Sequence, residues 1–366
     1  MNKEVNSCLR LFSNCKIVKG YARASICDLQ RNRIYTIPLS LAAIFDENGV
    51  CSIPLIQKEL EEGSRAIFED YLSFIIEHEL GYYCSEEELS LFPQLPEEFL
   101  FPAQLSNAIL DTDSRFEYLS EAVLEQLAWL GCHFIQLRCY NPVPFDELQK
   151  ILELVSASGI KALDILLPFD PADHEFYAKL LLLVKEHRKI SCLTITGADK
   201  DECLSPGDDG TGMMFKSQAL INSEVHCGLI AQELFSINIP TYTESLAHNS
   251  CLNRKVAIDT AGNIKNCPSM KESFGNIKDT TLEEAMDMPG FQQYWNIKKA
   301  EITKCKDCEF RHVCTDCRAY LDDPQDSYAA PLKCGYDPYA CTWQAWSDSP
   351  LKQAVFEYYK MNNIIL

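Results

Sequence analysis

Residues 305–317 read CKDCEFRHVCTDC and carry four cysteines at metal-ligand spacing. Two cysteines separated by two residues can bind one metal from a tight turn, and two such pairs five residues apart can serve two sides of a cluster. Seven of the eight cysteines in this region belong to the pattern: Cys251, Cys267, Cys305, Cys308, Cys314, Cys317 and Cys334. The spacing predicts a metal-binding domain in the last third of the chain. At this point both an iron–sulfur cluster and a structural zinc site are open.

The residues between these cysteines carry three further predictions. Cys251 and Cys267 flank the stretch VAIDTAGNIKNC, which predicts a hairpin that turns at Gly262. His312 lies between Cys308 and Cys314 and is a possible ligand, for which we favour a solvent-facing or supporting role. The stretches TLEEAMDM (281–288) and PGFQQYWNI (289–297) predict short helices.

The other cysteines are scattered. Ten of the 18 cysteines lie before position 250, at wide spacing, which is typical of small buried apolar side chains. The first 16 residues are polar and charged, and no run is long enough to span a membrane. We therefore expect a cytoplasmic protein without a membrane partner, in which the clustered cysteines bind metal and do not form disulfides.

Length and charge limit the function classes. At 366 residues the chain is too long for one core, so two or three domains are expected. The formal net charge of −20 argues against binding to nucleic acid, whose phosphates require a basic surface.

Strands precede helices in the first 90 residues. Residues 7–20, 23–30 and 33–38 predict strands, and 39–47, 52–62 and 66–80 repeat apolar residues at helical spacing. The stretch GYYCSEEE (81–88) predicts a return strand after a helix that ends at Gly81. This order resembles the PqqD-like winged-helix domains that recognise leader peptides in ribosomal peptide pathways. A DNA-binding winged helix and a purely structural cap are the alternatives.

Strands and helices alternate in the middle of the chain. After a proline-containing stretch at 91–110, strands are predicted at 105–110, 133–140, 161–169 and 189–198, with helices at 116–131, 145–159 and 174–188. Short connections between alternating elements indicate a parallel sheet or part of a β/α barrel.

The cysteine pattern resembles a SPASM domain, the auxiliary iron–sulfur module of many radical SAM peptide-modifying enzymes. The usual motif has three residues between the last pair of cysteines, and this chain has two. The resemblance implies one cluster on Cys305, Cys308, Cys314 and Cys334. It implies a second on Cys251, Cys267 and Cys317, whose fourth ligand is Cys341, a non-cysteine group or an open position.

A radical SAM enzyme also needs three cysteines after its first barrel strand, spaced C-x3-C-x2-C. The equivalent stretch here, LSNAILDTDSRF (105–116), contains none, and no Gly-Gly-Glu follows HFIQLRCY. SAM cleavage is therefore not expected. A barrel remnant with a SPASM module resembles the SPASM-domain peptide maturase of grasp-with-spasm systems. The stretches NSCLNRKVAID, GNIKNCPSM, CEFRHVCTDCRAY and KCGYDPY carry the likeness.

The resemblance implies an α/β protein in four parts. These are a PqqD-like peptide-recognition domain (1–90), a linker (91–110), a degenerate radical-SAM-type β/α partial barrel (111–245) and a SPASM domain (246–366). The implied role is maturation of a ribosomally synthesised peptide of the graspetide class, together with an ATP-grasp ligase. The chain would bind the precursor's leader and carry one or two [4Fe–4S] clusters.

Two alternatives stay open. One is a redox or Lewis-acid enzyme that uses an iron with an open coordination position, and the other is a zinc-stabilised adapter. No catalytic residue is assigned, since neither a Ser-His-Asp order nor a motif with paired carboxylates is present. If the chain is an enzyme, we expect a peptide-modifying maturase and not a SAM-cleaving radical enzyme.

Overall fold

The computed structural model describes residues 7–173, 175–204 and 212–361, which form four sheets and nine α-helices. The strands are β1 Cys8–Leu11, β2 Cys15–Lys19, β3 Ala24–Asp28, β4 Arg33–Ile37, β5 Val50–Ser52, β6 Gly81–Cys84, β7 Asn107–Thr112, β8 Phe134–Cys139, β9 Ala162–Pro168, β10 Ile190–Thr196, β11 Glu202–Leu204, β12 Met213–Lys216, β13 Lys255–Ile258, β14 Ile264–Lys265, β15 Tyr336–Asp337 and β16 Thr342–Trp343. The helices are α1 Leu39–Ala43, α2 Ile53–Glu59, α3 Arg65–Glu77, α4 Glu121–Trp129, α5 Phe145–Ala157, α6 Phe176–Glu186, α7 Ile239–Ala247, α8 Leu282–Asp287 and α9 Gln353–Tyr358. None of the helices in the described part of the chain has the length and apolar character needed to cross a bilayer.

Two three-stranded antiparallel sheets and helices α1–α3 form the N-terminal region. β1 lies between β5 and β6, and β3 lies between β2 and β4. Phe68, Leu72 and Ile75 recur at helical spacing along α3 and pack into the core between the sheets. The predicted order of strands, helices and a return strand is confirmed, although a turn at Phe12 divides the first predicted strand into β1 and β2. The specific PqqD-like topology remains a prediction.

The largest sheet has eight strands in the order β11-β12-β10-β9-β8-β7-β13-β14. Strands β7, β8, β9 and β10 are parallel neighbours, and α4, α5 and α6 connect them in turn. The side chains of β7 and β8 are buried in runs, as expected for strands covered on both faces, whereas β9 alternates between buried and half-buried residues. The predicted alternation of strands and helices is therefore confirmed, and the fold is a mixed α/β fold. The radical-SAM-type nature of this sheet remains a prediction.

The predicted hairpin between Cys251 and Cys267 is present and extends this sheet. β13 pairs in parallel with β7, with Lys255 opposite Asn107, and β14 pairs antiparallel with β13. The sheet thus continues across the predicted boundary at residues 245–246. Because β14 runs back along β13, Cys251 and Cys267 return to the same end of the sheet.

Residues 246–361 contain little regular secondary structure. α8 begins with a capping box between Thr281 and Glu284, which confirms the first of the two short helices. The second prediction is wrong: residues 289–296 form successive turns. Gly290, with a φ of +94°, interrupts helical geometry at the start of that stretch. α8, Phe291 and Trp295 pack into the core of the large sheet, whereas the loops that carry Cys305 to Cys334 pack against small apolar clusters.

Candidate metal centres

The loop CKDCEFRHVCTDC folds around one buried aromatic ring. Phe310 is buried, and its ring centroid lies 5.1 Å from that of Tyr336 and 6.5 Å from that of Trp343. The Cys308 N–H donates to the Cys305 carbonyl oxygen at 3.0 Å, and the Phe310 N–H donates to Cys308 Sγ at 3.4 Å. The first cysteine pair therefore shares a single turn beside this ring.

Four cysteines line one cavity beside Phe310, and we call them the first quartet: Cys305, Cys308, Cys314 and Cys334. Most of the remaining wall is apolar, with contributions from Ile230, Pro331 and Trp343. Burial raises the pKa of Cys305 to about 12. These are the four cysteines that the SPASM resemblance assigned to one cluster. Their role as ligands remains a prediction.

A buried lysine contacts the first quartet. Lys299 is 4% exposed, and its Nζ donates to Cys314 Sγ at 2.9 Å and to the Thr315 carbonyl oxygen at 3.0 Å. Burial alone lowers the pKa of Lys299, but negative charge on Cys314 and Cys305 outweighs burial and raises it. The ammonium group is thus placed to offset negative charge on a thiolate-ligated centre.

Four further cysteines meet at a second place, and we call them the second quartet: Cys227, Cys251, Cys267 and Cys317. Burial, followed by negative charge on Cys227 and Cys251, raises the pKa of Cys267 to about 12. Burial also raises the pKa of Cys317, with smaller contributions from the other three thiols. Burial is the largest cause of each shift, and the smaller contributions of the thiols to one another place the four sulfur atoms within electrostatic range.

This quartet also has a lysine partner. The Nζ of Lys255 donates to Cys251 Sγ at 3.6 Å. Burial acts to lower the pKa of Lys255, and the thiols of Cys251, Cys267 and Cys227 raise it above its ordinary value. Lys255 is the first residue of β13, so the edge of the parallel sheet delivers a positive charge to the second quartet.

One short segment joins the two quartets. Asp316 lies between Cys314 of the first quartet and Cys317 of the second and is fully buried. Its carboxylate accepts hydrogen bonds from Asn249 Nδ2 at 2.6 Å and from Arg318 Nη2 at 2.8 Å. Asn249 Oδ1 in turn accepts the Cys251 N–H at 3.0 Å. The two quartets therefore share a buried polar frame.

Sequence reasoning missed Cys227. The structure brings all seven predicted cysteines into the two quartets, and Cys227 is the eighth member. Seven of the ten cysteines before position 250 are buried, in line with the apolar role predicted for them. A usable signal was present in the dipeptide Cys227-Gly228, which repeats the Cys334-Gly335 pair of the first quartet.

The two other candidate ligands, Cys341 and His312, lie outside both quartets. Cys341 is in the turn between β15 and β16, with its Sγ 3.8 Å from the Pro338 carbonyl oxygen, on the side of the first quartet. His312 is buried, and its Nδ1 lies 2.9 Å from Ser245 Oγ on α7. Burial, together with the positive charges of Arg311 and Lys299, lowers the pKa of His312 to about 3. Of the two roles expected for His312, the solvent-facing one is wrong because the side chain is buried, and its contact with Ser245 on α7 fits the supporting one.

The donor chemistry of both quartets suits a thiolate-ligated centre. Each offers four sulfur atoms and a lysine ammonium group, the kind of environment used by iron–sulfur clusters and by structural zinc. Across residues 7–173, 175–204 and 212–361, no three Cys, His, Asp or Glu side chains are grouped closely enough to hold a single ion.

A buried ion pair occupies the carboxyl ends of β7 and β8. Arg138 Nε and Nη2 donate to the two Asp111 carboxylate oxygens at 2.7 and 2.8 Å, and the Tyr140 hydroxyl donates to Asp111 Oδ2 at 2.7 Å. All three residues are less than 10% exposed. Burial alone lowers the pKa of Arg138, but Asp111 raises it above its ordinary value. A buried pair of opposite charges thus lies at the carboxyl ends of these two parallel strands.

The N-terminal sheet is attached to the loop of the first quartet. Arg23 Nε donates to Glu309 Oε1 at 2.5 Å, and the Tyr336 hydroxyl donates to the same oxygen at 2.5 Å. Ser25 Oγ donates to the Glu309 carbonyl oxygen at 2.7 Å. Glu309 is fully buried and directly follows Cys308. We call this set of four residues the docking contact.

Backbone contacts accompany the docking contact. The Tyr21 N–H donates to the Asp307 carbonyl oxygen, and Arg311 Nη1 donates to the Lys19 carbonyl oxygen, both at 2.8 Å. A Cβ atom at Gly20 would lie 2.8 Å from the Glu309 nitrogen, so glycine is required for this approach. The turn between β2 and β3 therefore packs directly on residues 307–311.

Residues 250–309 match the family model of SPASM, an iron–sulfur cluster-binding domain. No curated protein matches the chain. Among solved structures, the fold is similar to Streptococcus suis SuiB bound to S-adenosylmethionine, at 9% identity and a TM-score of 0.32, over 88% of this chain and 98% of that one. It is also similar to SuiB bound to its precursor peptide SuiA, at 11% identity and a TM-score of 0.30, over 85% and 96%. The resemblance to SPASM predicted from the cysteine spacing is therefore confirmed over residues 250–309.

Proposed function

We propose that this protein is a SPASM-domain maturation factor for a ribosomally synthesised peptide, and that it holds two [4Fe–4S] clusters and does not cleave SAM. The observation that carries the proposal is the presence of two groups of four thiols, one around a cavity and one at the edge of the parallel sheet. The SPASM match over residues 250–309 supports iron–sulfur chemistry.

The surroundings of the thiols favour iron–sulfur clusters over zinc. The first quartet lines a cavity and does not converge on a point, as expected when each thiolate binds a different iron of a cluster. Zinc would need four sulfur atoms at about 2.3 Å from one ion. A bound cluster would supply electron transfer or structural support. Lys299 and Lys255 would hold positive charge against Cys314 and Cys251 and so favour the more reduced state.

The metal content tests this proposal. Protein purified without oxygen is expected to contain about eight iron atoms and eight acid-labile sulfides per chain, because two quartets can hold two four-iron clusters. Elemental analysis and sulfide determination provide the measurement. Two zinc ions per chain, with no sulfide, would instead support a zinc-stabilised adapter and contradict the iron–sulfur proposal.

We expect SAM to be neither cleaved nor required. The stretch after β7 has no cysteine, and the Asp111–Arg138 pair fills the carboxyl ends of β7 and β8. Reduced, iron-reconstituted protein incubated with SAM should therefore give no 5′-deoxyadenosine above a control without protein, as measured by chromatography and mass spectrometry. Catalytic formation of 5′-deoxyadenosine would disprove this part of the proposal.

Leader binding is assigned to the outer edge of β4. The two strand segments that could offer such an edge, ASICDLQ and RIYTIP, differ in the structure: β3 is central, whereas β4 has a neighbour on one side only within the described residues. Tyr35 on β4 faces α3, with ring centroids 6.1 Å from Phe74 and 5.0 Å from His78. An extended peptide can pair with an open strand and place alternate side chains against such a wall.

Removal of this aromatic wall should weaken leader binding. The double substitution Tyr35→Ala and His78→Ala in the full chain is expected to raise the Kd for a labelled leader peptide about tenfold or more, since a loss of about 1.4 kcal/mol corresponds to a factor of ten. Fluorescence anisotropy measures the Kd. The matched control is Trp129→Ala, an aromatic side chain that is 81% exposed on α4. Equal affinities for the two variants would contradict the assignment.

The ATP-grasp ligase is proposed as a partner from the sequence resemblance alone. The acidic run from Glu86 to Glu88 would favour leaders or partners that carry lysine. Coelution of the two purified proteins in size-exclusion chromatography, with and without precursor peptide, tests the partnership. Separate elution under both conditions would contradict it.

A further inference from the structure

We propose that a cleft lined by four tyrosines binds an acidic segment of the precursor peptide. We call it the tyrosine cleft, after Tyr294, Tyr320, Tyr358 and Tyr359 in its wall. The inference rests on the proposed function, because that proposal makes a peptide the ligand of this protein. It adds a binding site that is separate from the outer edge of β4 and from the cysteines of both quartets.

Three stretches of the C-terminal region form most of the wall of the tyrosine cleft. Residues 269–272 follow Cys267, and residues 318–321 follow Cys317. Residues 358–360 lie at the end of α9. The cleft has a volume of about 490 Å³, which lies within the range of pockets that hold small ligands. The loops that leave two cysteines of the second quartet therefore continue into a cleft large enough for a few side chains of a peptide.

Hydrogen bonds and ring contacts hold these walls in place. Ser269 Oγ donates to the Glu224 carbonyl oxygen at 3.0 Å, and the Leu321 N–H donates to the Tyr359 hydroxyl oxygen at 3.1 Å. The Tyr359 ring meets the Tyr320 ring edge-on, with the two centroids 5.2 Å apart. The cleft is therefore formed before a ligand enters, so binding loses less conformational entropy than it would at an unformed site.

The tyrosines suit a peptide ligand. Tyr320 is buried, Tyr294 and Tyr359 are half-buried, and Tyr358 is 47% exposed. A tyrosine ring offers flat apolar area at a small cost in conformational entropy, and its hydroxyl can form a hydrogen bond with a peptide group. The four rings thus provide apolar surface both inside the cleft and at its opening, against which the side chains of a bound peptide can pack.

The lysines of the cleft favour an acidic ligand. Lys271 Nζ lies 4.2 Å from the centroid of the Tyr358 ring, and Lys360 is exposed at the end of α9. Within the described residues, neither lysine forms an ion pair with a carboxylate. In a chain of net charge −20, two unpaired ammonium groups beside one cleft supply local attraction for an anionic ligand. The carboxylates of Glu224 and Glu272 also line the cleft, so the acidic groups of a ligand have to lie against the lysines.

A buried donor adds to this preference. Arg318 lines the cleft, and its side chain is fully buried. Its Nη1 donates to the Ala329 carbonyl oxygen and its Nη2 to Asp316 Oδ1, both at 2.8 Å. Its Nε has no acceptor within the part of the chain that the structure describes. A buried N–H without an acceptor is costly, so this wall of the cleft favours a ligand that brings a carboxylate or carbonyl oxygen.

Peptide binding to the full chain tests the tyrosine cleft. The probes are two fluorescein-labelled peptides of equal length, one a repeat of Glu-Phe-Gly and the other a repeat of Gln-Phe-Gly. Fluorescence anisotropy is expected to give a Kd for the acidic peptide about tenfold lower than that for the neutral one. Equal affinities for the two peptides, or no binding of the acidic one, would overturn the proposal.

Reversal of the two lysine charges should remove this preference. Lys271→Glu with Lys360→Glu is expected to raise the Kd for the acidic peptide about tenfold, whereas Lys271→Arg with Lys360→Arg should keep the parent's Kd. The matched control is Lys161→Glu with Lys185→Glu, which makes the same change of net charge at exposed positions outside the cleft. It should change the Kd by about twofold at most, because salt screens distant charges. The same rise in Kd for both charge-reversed variants would show an effect of net charge and overturn the proposal.

Crosslinking in the unaltered protein gives the location of the peptide. A benzophenone group on the acidic peptide should attach to residues 269–272, 318–321 or 358–360, as identified by mass spectrometry. Attachment confined to other residues would overturn the proposal. Displacement of the acidic peptide by an equal concentration of inorganic phosphate would identify a phosphate site and overturn it as well. The probes contain no leader sequence and the assay needs no metal, so failure here and failure of the proposed function are separate results.

Discussion

The double substitution Cys305→Ala and Cys308→Ala should remove about half of the bound metal and sharply reduce the yield of soluble protein. Both thiols line the cavity of the first quartet, and the surrounding loops pack only small apolar clusters. Metal–thiolate bonding can contribute on the order of 10 kcal/mol to the folding of such modules. Metal analysis per chain and thermal melting followed by circular dichroism measure the effect.

The matched control replaces two cysteines outside the quartets. Cys192 and Cys203 are partly or fully exposed, so Cys192→Ala with Cys203→Ala removes the same atoms without touching either site. This control should keep the parent's metal content and melting temperature. Parent-like metal content and melting in the Cys305 and Cys308 variant would show that the first quartet is not a metal centre.

Asp111→Ala should lower the free energy of unfolding by about 3–5 kcal/mol, because it leaves the Arg138 guanidinium buried without its carboxylate. The Tyr140 hydroxyl also loses its acceptor. Urea unfolding measured by circular dichroism gives the change. A loss of this size would show that the ion pair stabilises the folded sheet.

The control for this prediction removes both charges together. Asp111→Leu with Arg138→Met replaces the pair by apolar side chains of similar length and should recover most of the lost stability. If the double variant is as unstable as Asp111→Ala, the cost comes from lost packing or from the Tyr140 contact and not from an unpaired charge.

The spacing of apolar residues predicted the helices and strands whose burial repeats over neighbouring residues. Helical periodicity located α3 and α5, and the alternation of strands and helices located β7 to β10, because burial repeats at short, fixed intervals in these elements. The turn at Phe12 and the turns at 289–296 were missed. In those places local hydrogen bonding and a positive-φ glycine override the apolar spacing.

The cysteines of the candidate site also fall into a group that the sequence predicts and one residue that it does not. Four of its cysteines follow a spacing that tight turns impose, and Cys251, Cys267 and Cys334 complete the SPASM pattern, so the sequence predicts all seven. Cys227 lies 24 positions before Cys251. Only the tertiary fold brings it to Cys317, through the contacts of Lys333 and Gly228. Lys299 and Lys255 were equally invisible, since a lysine that contacts a thiol has no sequence signature.

The docking contact has a thermodynamic consequence. Residues 307–311 hold both the N-terminal sheet and the first quartet, so docking of the sheet and binding of the metal act on one loop. If docking of the sheet raises the affinity for metal by some factor, bound metal must raise the equilibrium constant for docking by the same factor. The reason is that the free-energy changes around the cycle of four states sum to zero. A leader peptide that prefers the docked form, as proposed above, would then raise the equilibrium affinity for metal, so that the chain would hold its metal most tightly while the peptide is bound.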